Sequence, residues 1–443
     1  MHPAIRACYG AAGQLARAAA ALSPAGRAKW RRALRARRGI RSRYAAWARR
    51  RDTTRPLLWV HAPSVGEGLQ ARIVLELVRA RRPDVQLAYT FFSPSAERFA
   101  RSLDVDFAEY LPFDTPGDAR TALDALRPTA LVFSKLDVWP ILVDEARARH
   151  VRLGLISGTL SEVSSRQGRL ASHLLEESYA SLDRVGAVST ADAERLATLG
   201  VRHDHIVVTG DTRYDQALQR AANADRSGAL LAPLASNRPT LVAGSTWPSD
   251  EAILLPAWLA VRRDVPDARL IIAPHEPTLR HLVPLERWAR ENGLAWARLD
   301  ASGIAVADVV IVDRVGVLGD LYALAQAAWV GGGFHGAGLH SVLEPAAFGA
   351  PVIFGPRHGN SRDATLLHRA RGGDSVATID EAIEALSLWL GEPESRRAAG
   401  EAARALVVSG GGAAERTYAL VLSLLDPPAP PAPAGAAGAP PPP

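Results

Sequence analysis

Cysteine is nearly absent from this 443-residue chain: Cys8 stands alone. A single thiol excludes an internal disulfide framework and any multi-cysteine metal site, and it suits a reducing compartment. Acidic residues are missing before Asp52, whereas Arg27, Lys29, Arg31, Arg32, Arg35, Arg37, Arg38, Arg41, Arg43, Arg49, Arg50 and Arg51 crowd one short segment. No apolar run near the N-terminus is long enough to span a bilayer, because Arg6 and Arg17 interrupt it, and a span needs about 20 apolar residues. The segment is also a poor signal peptide. Two phosphate-binding signatures are missing too. No G-x-x-x-x-G-K-[ST] occurs, which disfavours a P-loop enzyme, and no G-x-G-x-x-G follows the first strand.

What is present is a basic arm followed by two arrays of alternating strands and helices. In residues 1–52 the cations interleave with Trp30, Leu34, Ile40, Tyr44 and Trp47. That mixture predicts a helix on an anionic membrane surface, ahead of a solvated arm or a nucleic-acid contact, and nucleic acid is not the expected partner. The first array, residues 53–217, offers the strands "LLWVHA", "QLAYTFF", "ALVFS", "RLGLIS", "VGAVS" and "IVVTG". Residues 218–238 lose the strand rhythm and read as a connection. The second array, 239–426, runs through "PTLVAGST", "ARLIIAP", "VVIVD", "AAWVGG", "PVIFGP" and "DSVAT". Residues 427–443, rich in Pro and Ala, are expected to be disordered. Alternation of this kind implies parallel sheets covered by helices on both faces. The expected fold is therefore α/β, with two Rossmann-like doubly wound domains facing an interdomain cleft.

Ligands of such sheets collect beyond the carboxyl ends of the strands, and the chemically informative residues fall there. "WVHAPSVGEG" leaves the first strand through His61, Ser64 and Gly66 and places Glu67 near a helix N-terminus. A glutamate in that position is suited to removing a proton from a hydroxyl acceptor. "SKLDVWP" adds Lys135 and Asp137 at another strand end. In the second array Gly331, Gly332, Gly333, Gly336 and Gly338 form a permissive loop able to approach a phosphate. A short helix is expected to open at "HSVLEPAAFG", with Ser341 as cap or anion contact and Glu344 placed for ribose hydroxyls. The plainer alternatives are tight turns for the glycines and first-turn helix acids for Glu67 and Glu344. His335, His340 and His358 lack a metal spacing, so no metal is expected. "HAPSVGE" is not G-x-S-x-G, which makes a serine hydrolase a weak reading.

Taken in order, these segments resemble the 3-deoxy-D-manno-octulosonic acid (Kdo) transferases of lipopolysaccharide biosynthesis. "HAPSVGE" resembles that family's H-A-x-S-V-G-E, "SPSAERF" its T-P-T-G region, "LDVWP" its E-x-E-[LI]-W-P, "TLSEVS" its R-L-S-x-R-S and "TGDTRYD" its T-G-[SN]-x-K-[FY]-D. In the second half "GSTWPSDE" is similar to S-T-H-x-G-E-E and "DRVGVLGDLY" to D-T-x-G-E-L-x-x-L-Y, and the run from Gly331 to Asn360 resembles the family's glycine-rich G-G-H-N-x-L-E-P segment.

The resemblance implies a GT-B fold, a CMP-activated Kdo donor held by the second domain and a lipid A precursor held by the first. It implies an inverting transfer at the cytoplasmic face of the inner membrane, with Glu67 as the base and no cofactor beyond the CMP-sugar substrate. The acceptor side then comprises His61, Ser64, Gly66, Lys135 and Asp137. The donor side comprises Ser245, Thr246, His275, Gly331, Gly332, Gly338, His340, Ser341, Glu344 and Asn360. This chain departs from the family pattern where Lys135 replaces a glutamate, Thr159 an arginine, Ser157 an asparagine, Trp247 a histidine and His275 an arginine. Those changes keep open a related sugar or acceptor, a noncatalytic nucleotide- or lipid-binding homologue, and, more weakly, a nucleotide-sugar epimerase of the same twin-domain fold.

Overall fold

The computed structural model describes residues 9–11, 13–15, 17–18, 29–160, 169–301, 303–336 and 338–426; the expected tail, 427–443, and most of "TLSEVS" lie outside them. The chain forms two units, Met1–Thr212 with Gly412–Pro443, and Arg213–Gly411.

In the first unit seven strands run in parallel: β1 (Leu57–His61), β2 (Gln86–Phe91), β3 (Phe107–Tyr110), β4 (Ala130–Ser134), β5 (Arg152–Gly158), β6 (Arg184–Ala187) and β7 (Ile206–Val208). Their order is β3-β2-β1-β4-β5-β6-β7. Central strands are buried along their whole length, β1, β2 and β4 without an exposed position, which is why they read as continuous apolar runs. β1 pairs with β2 on one side and with β4 on the other, His61 lying opposite both Thr90 and Phe133. Strand order reverses between β1 and β4, so the loops leaving these two strands flank a crevice at their carboxyl ends.

The basic segment belongs to this unit. Two helices, Lys29–Ala36 and Ile40–Ala48, carry it, and Ile40, Tyr44 and Trp47 join the core. Tyr44 packs edge-on against Phe107 with ring centres 5.0 Å apart and donates to the Tyr110 carbonyl at 3.0 Å. Arg41 pairs with Asp118 and Arg43 with Glu109. Arg37 is buried, and it donates to the carbonyls of Leu111 (2.8 Å), Ala33 (2.8 Å) and Phe92 (3.3 Å). Burial lowers its guanidinium to about 10. The apolar face assigned to a membrane from the sequence is thus spent on the protein core; Trp30, Arg32, Arg35, Arg49 and Arg50 remain exposed.

The second unit repeats the scheme with β8 (Thr240–Thr246), β9 (Arg269–Pro274), β10 (Trp296–Arg298), β11 (Val309–Ile311), β12 (Ala327–Val330), β13 (Val352–Phe354) and β14 (Gly373–Ser375). The order is β10-β11-β9-β8-β12-β13-β14. Here the reversal lies between β8 and β12.

Two boundaries differ from the sequence reading. Residues 218–238 are not a bare connection: the helix Thr212–Asn223 runs into them, and Leu231 and Leu234 are fully buried in the core of the second unit. The helix Ala413–Leu425, assigned above to the second array, returns to the first unit. Its Val421, Leu424 and Leu425 enter that core, and a Cβ on Gly154 of β5 would meet Leu424 Cδ1 at 2.5 Å. Arg81–Glu415 and Arg82–Asp426 pairs fasten this helix at its two ends.

Candidate functional site

Each unit concentrates its unusual side chains at its own strand-order reversal. In the first unit the helix Val65–Arg81 starts directly after β1, with Ser64 as its N-cap residue and Glu67 in its first turn. The Ser64 hydroxyl makes no capping bond to the backbone and donates instead to the Glu67 carboxylate. Lys135, on the loop after β4, places Nζ 3.5 Å from Glu67 Oε1. Ser134 ties the two loops by donating to the Glu67 carbonyl at 3.1 Å. The Glu67 side chain is 20% exposed, so its carboxylate is oriented by neighbours and open to an incoming group. A hydrogen-bonded carboxylate beside a cation can accept a proton in a defined direction. Tyr89 behind it is raised, chiefly by burial and then by the Glu67 charge.

His61, placed among acceptor contacts from the sequence, has no exposed surface. Its Nδ1 faces Thr90 Oγ1 at 3.0 Å and its Nε2 faces Asp137 Oδ2 at 3.1 Å. Trp139 Nε1 also donates to Asp137, at 3.0 Å. His61 therefore positions Asp137 from behind, which is a correction forced by the full burial of β1. Gly66 is exposed and needs no cleared space, since only Ser64 Oγ comes near the position of a Cβ.

In the second unit the glycines are needed for backbone packing. A Cβ on Gly331 would lie 2.2 Å from the Ser245 carbonyl oxygen, on Gly332 2.3 Å from that of Gly338, and on Gly333 2.4 Å from the Gly355 nitrogen. The loop is pressed against backbone neighbours, whereas Gly336 alone of this loop meets nothing. Asn360 closes it by accepting from the Leu339 N–H (3.2 Å) and donating to its carbonyl (3.3 Å). Beneath the loop lies Asp250, a residue the sequence reading did not single out. It accepts the N–H groups of Trp247 (2.9 Å), Gly332 (2.9 Å) and Phe334 (3.3 Å). Burial raises its carboxyl, against the effect of these bonds. Its signal was present in "TWPSD": a proline at the first helical position and an acid two residues later mark a helix start.

Other donor-side assignments are rearranged. The helix expected from Ser341 begins at Leu343 and has five residues; Ser341 is exposed ahead of it. Glu344 is raised by burial, an environment poor for an ionised ribose contact. Thr246 is buried and donates to Glu251 at 2.8 Å. Rings gather instead: Trp247 stacks on His335 at 4.1 Å and on His275 at 4.6 Å, and His275 stacks on His340 at 4.6 Å.

Three non-glycine residues at strand exits take left-handed backbone: Lys135 (φ 60°), Ser157 (φ 53°) and Ser245 (φ 55°). Ser157 and Ser245 coincide with register shifts in β5 and β8. Strained backbone of this kind collects at functional loops. Among the described residues no cluster of histidine, cysteine and carboxylate side chains could hold a metal ion, and no helix is long and apolar enough to cross a membrane.

Comparison with known proteins decides between the readings of this architecture. Residues 22–216 match the family model described as 3-deoxy-D-manno-octulosonic-acid transferase (kdotransferase). A 3-deoxy-D-manno-octulosonic acid transferase of Bordetella pertussis is 32% identical over 376 residues, covering 81% of this chain and 85% of that protein. The chain belongs to the Kdo transferase family. The Haemophilus influenzae transferase is 26% identical, over 84% of this chain and 86% of its own length. Among solved structures, a UDP-N-acetylglucosamine 2-epimerase from Neisseria meningitidis aligns with a TM-score of 0.60 at 13% identity, over 83% of this chain and all of that one. At that identity the likeness speaks for the fold alone, an α/β fold of the GT-B type. As a Kdo transferase family member the chain is a glycosyltransferase of lipopolysaccharide synthesis, and the epimerase reading falls away.

Proposed function

We propose that the chain transfers Kdo, or a closely related sugar, from a CMP-activated donor to a lipid A precursor or related lipid, with inversion at the anomeric carbon. The observation that carries this reading is Glu67: a partly exposed carboxylate in the first turn after β1, held by Ser64 and 3.5 Å from Lys135. In the proposed step the acceptor hydroxyl loses its proton to Glu67 as its oxygen attacks the anomeric carbon. The bond from that carbon to the CMP phosphate breaks, and the phosphate leaves with the electron pair. Lys135 supports the carboxylate on one side, and Asp137, set by His61 and Trp139, lines the acceptor side with it.

The donor is assigned to the second unit, at the loops after β8, β9 and β12. Ser245, His275, His340 and the glycines Gly331, Gly332 and Gly338 form that surface. Ser341 stands at its exposed rim, and Asn360 and Thr246 hold its shape. No step is assigned to a metal. The exposed cations of residues 29–52 are assigned to the anionic lipid of the cytoplasmic face, by electrostatics without deep insertion.

Calorimetric titration with CMP, UMP, UDP and GDP tests the donor. Selective CMP binding is expected; preference for a uridine or guanosine nucleotide would move the donor class, and no binding by any of them would overturn the donor assignment.

A further inference from the structure

The ring cluster of the second unit has two properties that packing alone does not explain. His275 leaves the end of β9 and His335 and His340 bracket the loop after β12, yet the rings meet in one stack with Trp247. Within it, Trp247 Nε1 and His340 Nε2 are buried without a hydrogen-bond partner. Such atoms call for an explanation; Trp47, Trp258 and Trp329 carry an unpartnered Nε1 as well, and what distinguishes Trp247 and His340 is that the two sit in one stack of titratable rings. Two in one cluster, at a strand-order reversal where ligands bind, point to a ligand acceptor group.

The chemistry of stacked imidazoles narrows that group. Each neutral ring offers one N–H and each protonated ring two. Rings stacked at 4.6 Å resist sharing positive charge, and burial followed by His275 and His335 lowers His340 to about 4. An anion at the ring edges reverses both effects, because it favours the protonated form. Charged and titratable groups on the segments that carry or adjoin the stack are Asp250 and Glu251 at the start of the helix Pro248–Val261, Glu276 and His281 after β9, and Arg357, whose backbone N–H donates to the Gly333 carbonyl, and His358 after β13; Asp250 lies within electrostatic reach of His335. Asp250 already accepts three backbone N–H groups and Glu251 accepts from Thr246. Asp250 therefore reaches only the His335 end of the stack, and the ring edges of His275 and His340 are left for an external anion.

We infer that His275, His335 and His340 form a proton-coupled anion clamp: binding the anionic group of the donor, its phosphate or its sugar carboxylate, draws at least one proton from solvent onto the imidazole stack. This rests on the donor assignment made above for the second unit. The clamp makes donor affinity a function of pH. The stack holds its proton more tightly in the complex than in the free protein, so affinity is greatest at low pH and falls as pH rises through the window in which the complex gives that proton up. Per proton taken up, Kd rises about tenfold for each pH unit inside that window.

The test is calorimetry of the full chain with CMP at about pH 6 and about pH 8, each in two buffers of different ionisation enthalpy. Expected are a Kd at least about tenfold weaker at the higher pH and a buffer-dependent heat equal to one or more protons absorbed. Free Kdo, run in parallel, separates the sources: because the CMP phosphate itself titrates at about pH 6, only uptake with CMP that His340→Gln removes assigns the phosphate to the stack, and uptake with Kdo alone assigns the carboxylate. His275→Arg, a permanent cation, should bind at the higher pH and flatten the pH dependence, while His340→Gln should reduce the uptake. Ligand binding with a pH-independent Kd and no buffer dependence overturns the clamp and leaves the donor assignment standing. No binding of either ligand at either pH overturns both.

Discussion

Glu67 and Asp250 occupy the same place in two copies of one scheme. Each is in the first turn of the helix that follows a central strand, beside the reversal of strand order. Their surroundings are opposite. Glu67 is partly exposed and held by side chains, Ser64 and Lys135; Asp250 is fully buried and held by three backbone N–H groups. A carboxylate saturated by backbone donors shapes a loop, whereas one steered by side chains and open to solvent can exchange a proton. The fold supplies equivalent places, and the loops decide which is chemistry and which is architecture.

This contrast can be broken most severely at Asp250. Asp250→Ala leaves three backbone donors unpaired beneath the glycine loop and should lower the unfolding free energy by about 3 kcal/mol, with loss of CMP binding. Chemical denaturation checks the first and calorimetry the second; unchanged stability would deny Asp250 its architectural part. In the first unit a comparable role falls to Arg37 rather than to Glu67. Arg37→Ala should cost about 2 to 3 kcal/mol, since three carbonyls lose a charged donor, and Arg37→Lys should restore little of it. A full rescue by lysine would contradict the fork-like geometry.

Gly332→Ala is expected to cost about 1 to 3 kcal/mol, because φ is 94° and the new Cβ would crowd the Gly338 carbonyl. Gly66→Ala in the other unit should be near neutral, and equal costs would erase the difference between the two loops. A pH slope is expected at Asp114, in a part of the first unit remote in sequence from Glu67. Burial raises it to about 6, against the N–H groups of Ile141 and Leu142 that it accepts. Its folded value lies above the unfolded one near 3.8, so its stabilising contribution is present below about pH 4 and is lost as pH rises through about 6. Unfolding titrations should show Asp114→Asn lacking this component, worth about 3 kcal/mol across the window; parallel pH curves would exclude it.

Much of this was legible in the sequence, for identifiable reasons. Buried parallel strands announce themselves as apolar runs, and twelve of the fourteen strands are visible in the sequence, the exposed edge strand β7 among them because Ile206, Val207 and Val208 are apolar. The two that were not, β3 and β10, are edge strands: "FAEY" is half exposed and "WAR" is three residues long. Tyr44 and Trp47 were misassigned because an apolar helix face looks the same whether it meets lipid or protein. Long-range packing hid the return of Ala413–Leu425 to the first unit. At the site, Glu67, Lys135 and Asp137 were visible as strand-exit residues. The burial of His61, the part played by Asp250 and the ring stack were not, since each depends on loops that only the folded sheet brings together.

In the proposed transfer Glu67 serves as the base while the second unit holds the donor. This is tested most directly by following sugar transfer from CMP-Kdo to a lipid A precursor with wild-type and Glu67→Gln protein, measuring CMP affinity on the same samples. A fall of about a hundredfold or more in turnover, with CMP affinity and thermal stability unchanged, is the expected result. Turnover within a few-fold of wild type would contradict it.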